Sequence, residues 1–186
     1  AICFHLGYYR RFREFTPYID RVIKTCAHCD LYITYRDDAS FEKIRTLCCS
    51  KYPQAHLIQS LNGCDTGAFL LQIKSILLSH RVYDYIFKIH TKSDNGDFTH
   101  WIHDLLHPIC GSKHKVRHVL KLFDRNPIVG MIGGKRWVLK REIDYSPFRE
   151  ICQRNNIHMD GFFIGGTIFW VRAEPMLQMF RCINLD

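Results

Sequence analysis

Short apolar runs alternate with longer, helix-like stretches through the first half of this chain. Runs rich in strand-forming residues occupy residues 1–6, 30–35, 55–59 and 85–89. Residues 10–25, 41–50 and 66–79 lie between them, and in the first and third of these stretches the apolar side chains recur at helical spacing. Such an alternation predicts a parallel sheet whose strands are joined by crossover helices. We therefore expect an α/β fold with a mostly parallel sheet flanked by helices.

The second half is less regular but predicts elements of the same kinds. Residues 101–110 and 116–123 are expected to be helices, 128–132 a strand, 162–172 a strand interrupted by paired glycines, and 174–180 a last helix. The 186 residues have the length of one domain with a sizeable core. Every apolar run is shorter than the roughly 18 residues that a membrane-spanning helix needs. We expect a single domain over residues 1–186 without a membrane span.

The chain is basic, with a net charge of +8 when histidine is neutral. Its basic residues are scattered, so nucleic acid is not a predicted partner. Two interpretations of the charge stay open: solubility with non-specific attraction to polyanions, or a site for an anionic small molecule. The nine cysteines include one Cys-x-x-Cys pair, Cys26 and Cys29, without the second pair that a structural zinc requires. Reduced thiols and a cytoplasmic location are therefore expected.

The loop after the third predicted strand carries the first candidate site residues. It spans residues 62–67 and reads NGCDTG. Gly63 and Gly67 permit backbone angles and close approaches that other residues do not. Asp65 lies between them just before a helix, where its carboxylate either caps the helix or accepts a hydrogen bond from a ribose or a base.

The fourth predicted strand ends abruptly in charged residues, KIHTK, at residues 88–92. Ligands of open α/β sheets bind in the crevice at the carboxyl ends of the strands. Alternation along an extended chain places His90 and Lys92 on the same side, with Thr91 opposite. Lysine offers a point charge for phosphate and histidine a proton donor, which predicts a site for a negatively charged ligand. The alternative is a solvated strand end with a histidine satisfied inside the core.

Two groups of residues are weaker candidates for metal ligands. Asp94 and Asp97 lie in a glycine-containing loop and offer oxygen ligands to Mg²⁺ or Mn²⁺, although a turn explains the same residues. His100, His103 and His107 recur at helical spacing, which suits either zinc or an ordinary surface. No cofactor is predicted with certainty.

A third motif lies near the end of the chain, at residues 165–172, and reads GGTIFWVR. Paired glycines beside a strand allow a ligand to lie against the backbone. Gly165, Gly166 and Trp170 are therefore candidate ligand-binding residues, with Trp170 able to stack on a sugar ring or to pack in the core.

These motifs together resemble a known group of enzymes. The order of the first elements is similar to the nucleotide-binding half of GT-A glycosyltransferases, which have a Rossmann-like fold. A closer resemblance is to the rhamnan-synthesis F type of polysaccharide-synthesis proteins, which carry a loop like residues 62–69, a strand end like residues 88–92 and a segment like residues 166–172. GT-A enzymes usually have an Asp-x-Asp metal motif where this chain has His90-Thr91-Lys92. That departure leaves the use of Mn²⁺ or Mg²⁺ open.

The resemblance implies transfer of a sugar, a deoxyhexose such as rhamnose, from a nucleoside-diphosphate donor to a glycan or glycoprotein acceptor. It implies a nucleotide-binding half at about residues 1–97 and an acceptor-side half at about 98–186, in a domain excised from a longer protein. Gly165, Gly166 and Trp170 are expected on the acceptor side. Lys92, helped by His90, is expected to stabilise the leaving diphosphate. Asp160 is the candidate for the catalytic base within this chain, and the alternative is a base outside it. The residues expected at the donor are His5, Tyr8, Thr34, Asp38, Gly63, Asp65, His90 and Lys92. The alternatives are a non-catalytic nucleotide-sugar or glycan-binding module and a general polyanion binder.

Overall fold

The structure is a computed structural model that describes residues 1–36, 41–60, 64–92, 99–140 and 162–181. Its strands are β1 (Ile2–Leu6), β2 (Leu31–Arg36), β3 (His56–Ser60), β4 (Tyr85–His90), β5 (Met131–Gly133), β6 (Val138–Lys140), β7 (Phe162–Ile164) and β8 (Phe169–Arg172). Its helices are α1 (Phe12–Ile23), α2 (Phe41–Lys51), α3 (Asp65–Leu78), α4 (Thr99–Cys110), α5 (Lys113–Arg125) and α6 (Ala173–Arg181). Short 3₁₀ turns span Tyr9–Arg11, Lys135–Trp137 and Gly165–Thr167.

The main sheet has the strand order β3-β2-β1-β4-β8-β5. Strands β1 to β4 are parallel, whereas β8 runs antiparallel to both of its neighbours, β4 and β5. The expected mostly parallel α/β sheet is therefore confirmed. The chain moves from β1 outward to β3 and then returns to place β4 on the other side of β1. This reversal creates a switch point, where the carboxyl ends of β1 and β4 border a crevice.

The two faces of the main sheet pack against different helices. The α1 face is covered by α1, α2, α4 and α5 and includes Phe87 and Ile89 of β4. The α3 face is covered by α3 and α6 and includes Ile86 of β4. Because side chains alternate along a strand, Lys88 and His90 also lie on the α3 face.

Local sequence explains why the main helices form where they do. In α1, buried Phe12, Phe15, Ile19 and Val22 recur at three- and four-residue intervals, as required for one apolar helical face. Helix α3 begins after Cys64, whose side chain accepts a hydrogen bond from the backbone N–H of Gly67. The capping group is therefore Cys64, which leaves the Asp65 carboxylate available for other contacts. Among the described residues, no helix is both long enough and apolar enough to cross a bilayer.

Two expectations for the second half are wrong in detail. Residues 162–172 form two strands in different sheets, because β7 pairs with β6 in a small antiparallel sheet while β8 joins the main sheet. The Gly165–Thr167 turn separates them, with Gly166 at φ +74°. The strand expected at 128–132 begins only at Met131, and Ile128 is 97% exposed. Strand β6 was not predicted.

Candidate functional site

A cavity of about 200 Å³ opens at the switch point between β1 and β4. Its lining residues come from the carboxyl ends of three parallel strands and from the start of α3: His5, Gly7, Tyr8, Arg36, Cys64, Asp65, His90, Thr91 and Lys92. The structure thus brings together most of the described residues that the sequence predicts at the donor. We call this cavity the switch-point pocket.

The floor of the switch-point pocket is the seam between β1 and β4. His5 and His90 are direct partners in the register of the two strands. Beyond the strand ends, the backbone N–H of Thr91 donates to the carbonyl of His5 at 3.0 Å. The backbone N–H of Tyr8 donates to the Thr91 hydroxyl, also at 3.0 Å. These bonds fix the two chain segments that border the pocket.

The centre of the site is a hydrogen-bonded group formed by Lys88, Asp65 and Thr167. The Lys88 ammonium donates to Oδ2 of Asp65 at 2.7 Å and to the carbonyl of Thr167 at 2.8 Å. The Thr167 hydroxyl donates to the same Oδ2 at 2.5 Å. Lys88 is only 3% exposed, so its charge depends on these partners rather than on water.

The Asp65 carboxylate is ionised at neutral pH. Burial raises its pKa, but the Lys88 ammonium, His90, and the hydrogen bonds from Lys88 and Thr167 outweigh burial and hold the pKa well below its usual range. Burial lowers the pKa of Lys88, and the attraction of Asp65 opposes that effect. The group is therefore an ion pair with one face directed toward the switch-point pocket.

His90 joins the same group through its ring. Its Nε2 lies 2.9 Å from the carbonyl of Gly166 and 3.1 Å from the Thr167 hydroxyl, and its Nδ1 lies 3.0 Å from the carbonyl of Thr91. Burial and then the Lys88 charge lower its pKa, while Asp65 and the two carbonyls act in the opposite direction. Because both ring nitrogens face protein acceptors, His90 orders the β4 end and the glycine turn.

His5 lines the pocket, and Thr34 occupies the layer beneath it. Thr34 is fully buried, and its hydroxyl lies 3.1 Å from Nδ1 of His5. The side-chain amide of Gln72 donates to Thr34 and to the carbonyls of Phe4 and Tyr32. The expectation that Thr34 touches the donor is therefore corrected, because it is buried below His5. Burial lowers the pKa of His5 to about 4, so its ring is neutral at pH 7.

Positive charge at the mouth of the pocket comes from Lys92 and Arg36. The Lys92 ammonium lies 5.2 Å from the centre of the Trp101 ring, within the range of a cation–π interaction. Arg36 is exposed at the end of β2. No ion-pair partner of Arg36 is found within the described ranges.

The glycine segment does not place all of its predicted residues at the pocket. Gly166 contributes its carbonyl to His90, and its φ of +74° favours glycine; a Cβ there would lie 2.7 Å from Leu105. Gly165 is buried beside Leu139 and Trp137. Trp170 is 2% exposed and stacks on Phe87, with ring centroids 4.6 Å apart, on the opposite face of the sheet. Its expected stacking on a sugar is thus corrected to core packing.

Several predicted residues lie outside the described residues: Asp38, Gly63, Asp94, Asp97 and Asp160. Their proposed roles stay predictions. Within the described ranges, no cluster of three or more histidine, cysteine, aspartate or glutamate side chains is arranged to hold a metal ion. His103 and His107 stack on each other on α4, with ring centroids 4.5 Å apart, at a cleft that also contains the basic residues Lys135 and Arg136.

A larger cavity of about 620 Å³ lies at the opposite, amino end of β2 and β4. It is lined by Cys26, Cys29 and Tyr83 among others. Burial raises the pKa of Cys29 to about 11, so the thiol stays protonated at neutral pH and is a poor nucleophile and metal ligand. Its size alone does not make this cavity the site, since ligands of open α/β sheets bind at the carboxyl ends of the strands, where the switch-point pocket lies.

Sequence reasoning missed three residues of the site: Lys88, Thr167 and Arg36. Lys88 shares the alternation that places His90 and Lys92 on one side, and that alternation was the signal for it. Thr167 carries no such signal, because its role depends on a turn between two strands. Arg36 ends a strand, as site residues in parallel sheets do.

Comparisons with curated proteins and with solved structures return no match. The profile of the family described as Rhamnan synthesis protein F matches residues 1–161, which contain the residues lining the switch-point pocket. The chain therefore belongs to the rhamnan synthesis protein F family, whose members take part in rhamnan polysaccharide synthesis.

Proposed function

We propose that this chain is a glycosyltransferase that moves a deoxyhexose such as rhamnose from a nucleoside diphosphate to a glycan or glycoprotein acceptor in the cytoplasm. The observation that carries the proposal is the switch-point pocket, where an ionised Asp65 and the cations Lys92 and Arg36 line one cavity. Family membership supplies the polysaccharide context. The position at the carboxyl ends of parallel strands is where open α/β sheets bind ligands.

The charges in the pocket suit a sugar diphosphate. Lys88 is balanced by Asp65 at 2.7 Å, so this buried pair adds little net charge. Arg36 and Lys92 add positive charge beside it, and charge-assisted hydrogen bonds to phosphate are about twice as strong as neutral ones. Asp65 is left to accept hydrogen bonds from hydroxyl groups of a ribose or a sugar. In this arrangement Arg36 takes the place beside Lys92 that the sequence assigned to His90, and His90 orders the backbone.

The volume of the pocket bears on which part of the donor it holds. At about 200 Å³ it is smaller than the roughly 300–1,000 Å³ typical of sites for whole ligands. It therefore suits the diphosphate and one sugar ring, with the base extending over Tyr8, which is 37% exposed at the rim.

The reaction requires one bond to form and one to break. The oxygen of an acceptor hydroxyl bonds to the anomeric carbon, and the bond from that carbon to the diphosphate oxygen breaks. The diphosphate leaves with the electron pair, and its charge is stabilised by Lys92 and Arg36. A carboxylate takes the proton of the acceptor hydroxyl, and we propose Asp160 for that role.

The test begins with donor binding. A thermal-shift panel of UDP-, GDP- and dTDP-sugars, with and without Mn²⁺, should identify one base that raises the melting temperature. Arg36→Ala and Lys92→Ala should each weaken binding of that donor about tenfold, and Lys92→Ala should also lower turnover. Lys121→Ala, on the exposed face of α5, is the matched control for loss of a positive charge.

The outcomes separate the competing functions. Transfer or donor hydrolysis by the purified protein supports the enzyme, whereas specific donor binding without turnover supports a non-catalytic module. Binding that ignores the base and falls steeply with salt indicates a polyanion binder. Turnover that is unaffected by EDTA assigns charge stabilisation to Lys92 and Arg36. Turnover abolished by EDTA and restored by Mn²⁺ assigns it to a metal, with Asp94 and Asp97 as the ligands to test.

A further inference from the structure

Thr167 has a backbone conformation that is costly for its residue type. Its φ is +50°, in the left-handed region that β-branched residues rarely adopt. The other described non-glycine residue with a positive φ is His80 at +55°, which is exposed just after the end of α3, where left-handed geometry is ordinary. Strain of this kind persists where the surroundings impose it, and it concentrates at functional sites.

Thr167 is held by Asp65 and His90, which line the switch-point pocket, and by the buried Lys88 beside them. Its carbonyl accepts from the Lys88 ammonium at 2.8 Å, and its hydroxyl donates to Oδ2 of Asp65 at 2.5 Å. The same hydroxyl lies 3.1 Å from Nε2 of His90. A strained residue is thus locked by contacts with residues 102, 79 and 77 positions away, from the other half of the domain.

The hydrogen bonds to Asp65 are distributed unequally between its two oxygens. Lys88 and Thr167 both donate to Oδ2. In the part of the chain that the structure describes, no hydrogen bond reaches Oδ1, while the Asp65 side chain is 27% exposed and lines the pocket. Two donors on one oxygen fix the rotation of the carboxylate and leave the other oxygen for a ligand.

We propose that Thr167 is a positioning residue that fixes Asp65 through Oδ2, so that Oδ1 accepts a hydrogen bond from a hydroxyl of the sugar donor. The inference rests on the proposed function, because it needs a donor in the switch-point pocket. Thr167 touches Asp65 and not the donor. Preorganising a group before the ligand arrives avoids the entropic cost of ordering it on binding.

The test compares variants of Thr167 that differ in one property at a time. Thr167→Val keeps the branched shape and deletes the hydroxyl, whereas Thr167→Ser keeps the hydroxyl. With the nucleoside-diphosphate sugar that binds the wild type best, Thr167→Val should weaken affinity about 10- to 100-fold, as loss of an orienting partner does at metal sites. Thr167→Ser should stay within about threefold of the wild type. Thr167→Gly relieves the backbone strain but also lacks the hydroxyl. Its donor affinity should therefore fall as much as that of Thr167→Val.

The pH dependence of donor affinity supplies a readout that a purely structural role would not move. Without the Thr167 hydroxyl, the carboxylate of Asp65 loses one stabilising hydrogen bond, so its pKa rises. The acidic limb of the affinity profile should therefore move to higher pH in the valine and glycine variants and stay in place in the serine variant. Thr25→Val, which removes a hydroxyl bonded to the carbonyl of Arg21 on the remote end of α1, is the matched control.

Each outcome decides a separate question. If the wild type binds no nucleoside-diphosphate sugar, the proposed function itself is wrong. If the wild type binds and a folded valine or glycine variant has the same affinity and the same pH profile, the role of Thr167 is disproved. If the serine variant loses as much affinity as the valine variant, the methyl group matters rather than the hydroxyl, and the role is also disproved.

Discussion

The two faces of the main sheet differ most clearly along one strand, β4. Phe87 and Ile89 on the α1 face are fully buried, and Lys88 and His90 on the α3 face are only 3% and 5% exposed. Neighbouring residues of the same strand are thus almost equally removed from water but have opposite chemistry. The α1 face buries apolar side chains, whereas the α3 face adds an ion pair, two imidazoles and an amide to its apolar core near the carboxyl edge.

Stability explains the apolar side chains of both faces but not the polar groups of the α3 face. Burial of apolar surface contributes about 25 cal/mol per Å² to folding. A buried ion pair contributes little, because the loss of hydration offsets the attraction between the charges. The polar groups of the α3 face are therefore better explained by binding than by folding. Three predictions test this division, and the largest expected effect comes first.

Phe87→Ala should lower the free energy of unfolding by about 3–5 kcal/mol, because it leaves a cavity beneath Trp170 in the α1 face. Urea denaturation measures the change. Donor affinity of the folded fraction should equal that of the wild type. Ile128→Ala, at a residue 97% exposed, is the control and should change stability by less than about 0.5 kcal/mol. A loss of donor affinity in Phe87→Ala would contradict the division between the two faces.

Asp65→Ala should lower the free energy of unfolding by about 3 kcal/mol, because it leaves the buried Lys88 ammonium without a counter-charge and with only the carbonyl of Thr167 as a partner. Adding Lys88→Met removes that charge and should restore most of the stability, while donor binding stays lost. A double-mutant cycle by urea denaturation measures the coupling. Additive losses in the cycle would show that Asp65 and Lys88 contribute to folding independently and not as a pair.

Acidification should weaken the fold through His5. Its pKa in the folded chain is lowered by burial to about 4, against 6.5 for a free imidazole. Below pH 6.5 His5 is therefore protonated in the unfolded chain, whereas in the folded chain it stays neutral until the pH falls to about 4. Neutral His5 therefore costs the fold nothing at pH 7, and the free energy of unfolding falls by about 2 kcal/mol between pH 7 and pH 5. His90, whose pKa is also lowered, contributes in the same direction.

Urea midpoints at pH 7 and pH 5 measure this loss. His5→Gln should reduce the difference between the two midpoints, whereas His114→Gln on the exposed surface of α5 should leave it unchanged. An unchanged difference in His5→Gln would mean that another group carries the pH dependence.

Much of the fold was predictable because its signals are local. Strands β1 to β4 are compact apolar runs, and two of the three helices between them show helical spacing, so the parallel sheet was predictable from the sequence. Residues 162–172 were predicted as one strand, because the paired glycines were interpreted as an interruption within it; the structure has two strands there. Which sheet each half joins depends on pairing with β4 and β6, and that pairing is set by contacts distant in sequence.

The site was predictable where it follows a strand end and unpredictable where it depends on packing. Asp65, His90 and Lys92 end strands or begin a helix, and they line one pocket. Trp170 was predicted to contact a ligand, because the strand pattern shows that side chains alternate between two faces but not which face packs in the core. Thr167 was not predicted as a site residue, because nothing in its local sequence indicates a left-handed conformation at a threonine.

The antiparallel strand β8 is the last described strand of the chain, and it pairs with β4 from the far side of the switch point. During synthesis, β1 to β4 leave the ribosome long before β8, so the emerging sheet has an open edge at β4. Until β8 arrives, Lys88 lacks the carbonyl of Thr167 and Asp65 lacks its hydroxyl. The nascent protein therefore completes the contacts behind the switch-point pocket only after β8 has been synthesised, and a shortened product that stops before β8 would hold a partial sheet with an incomplete pocket.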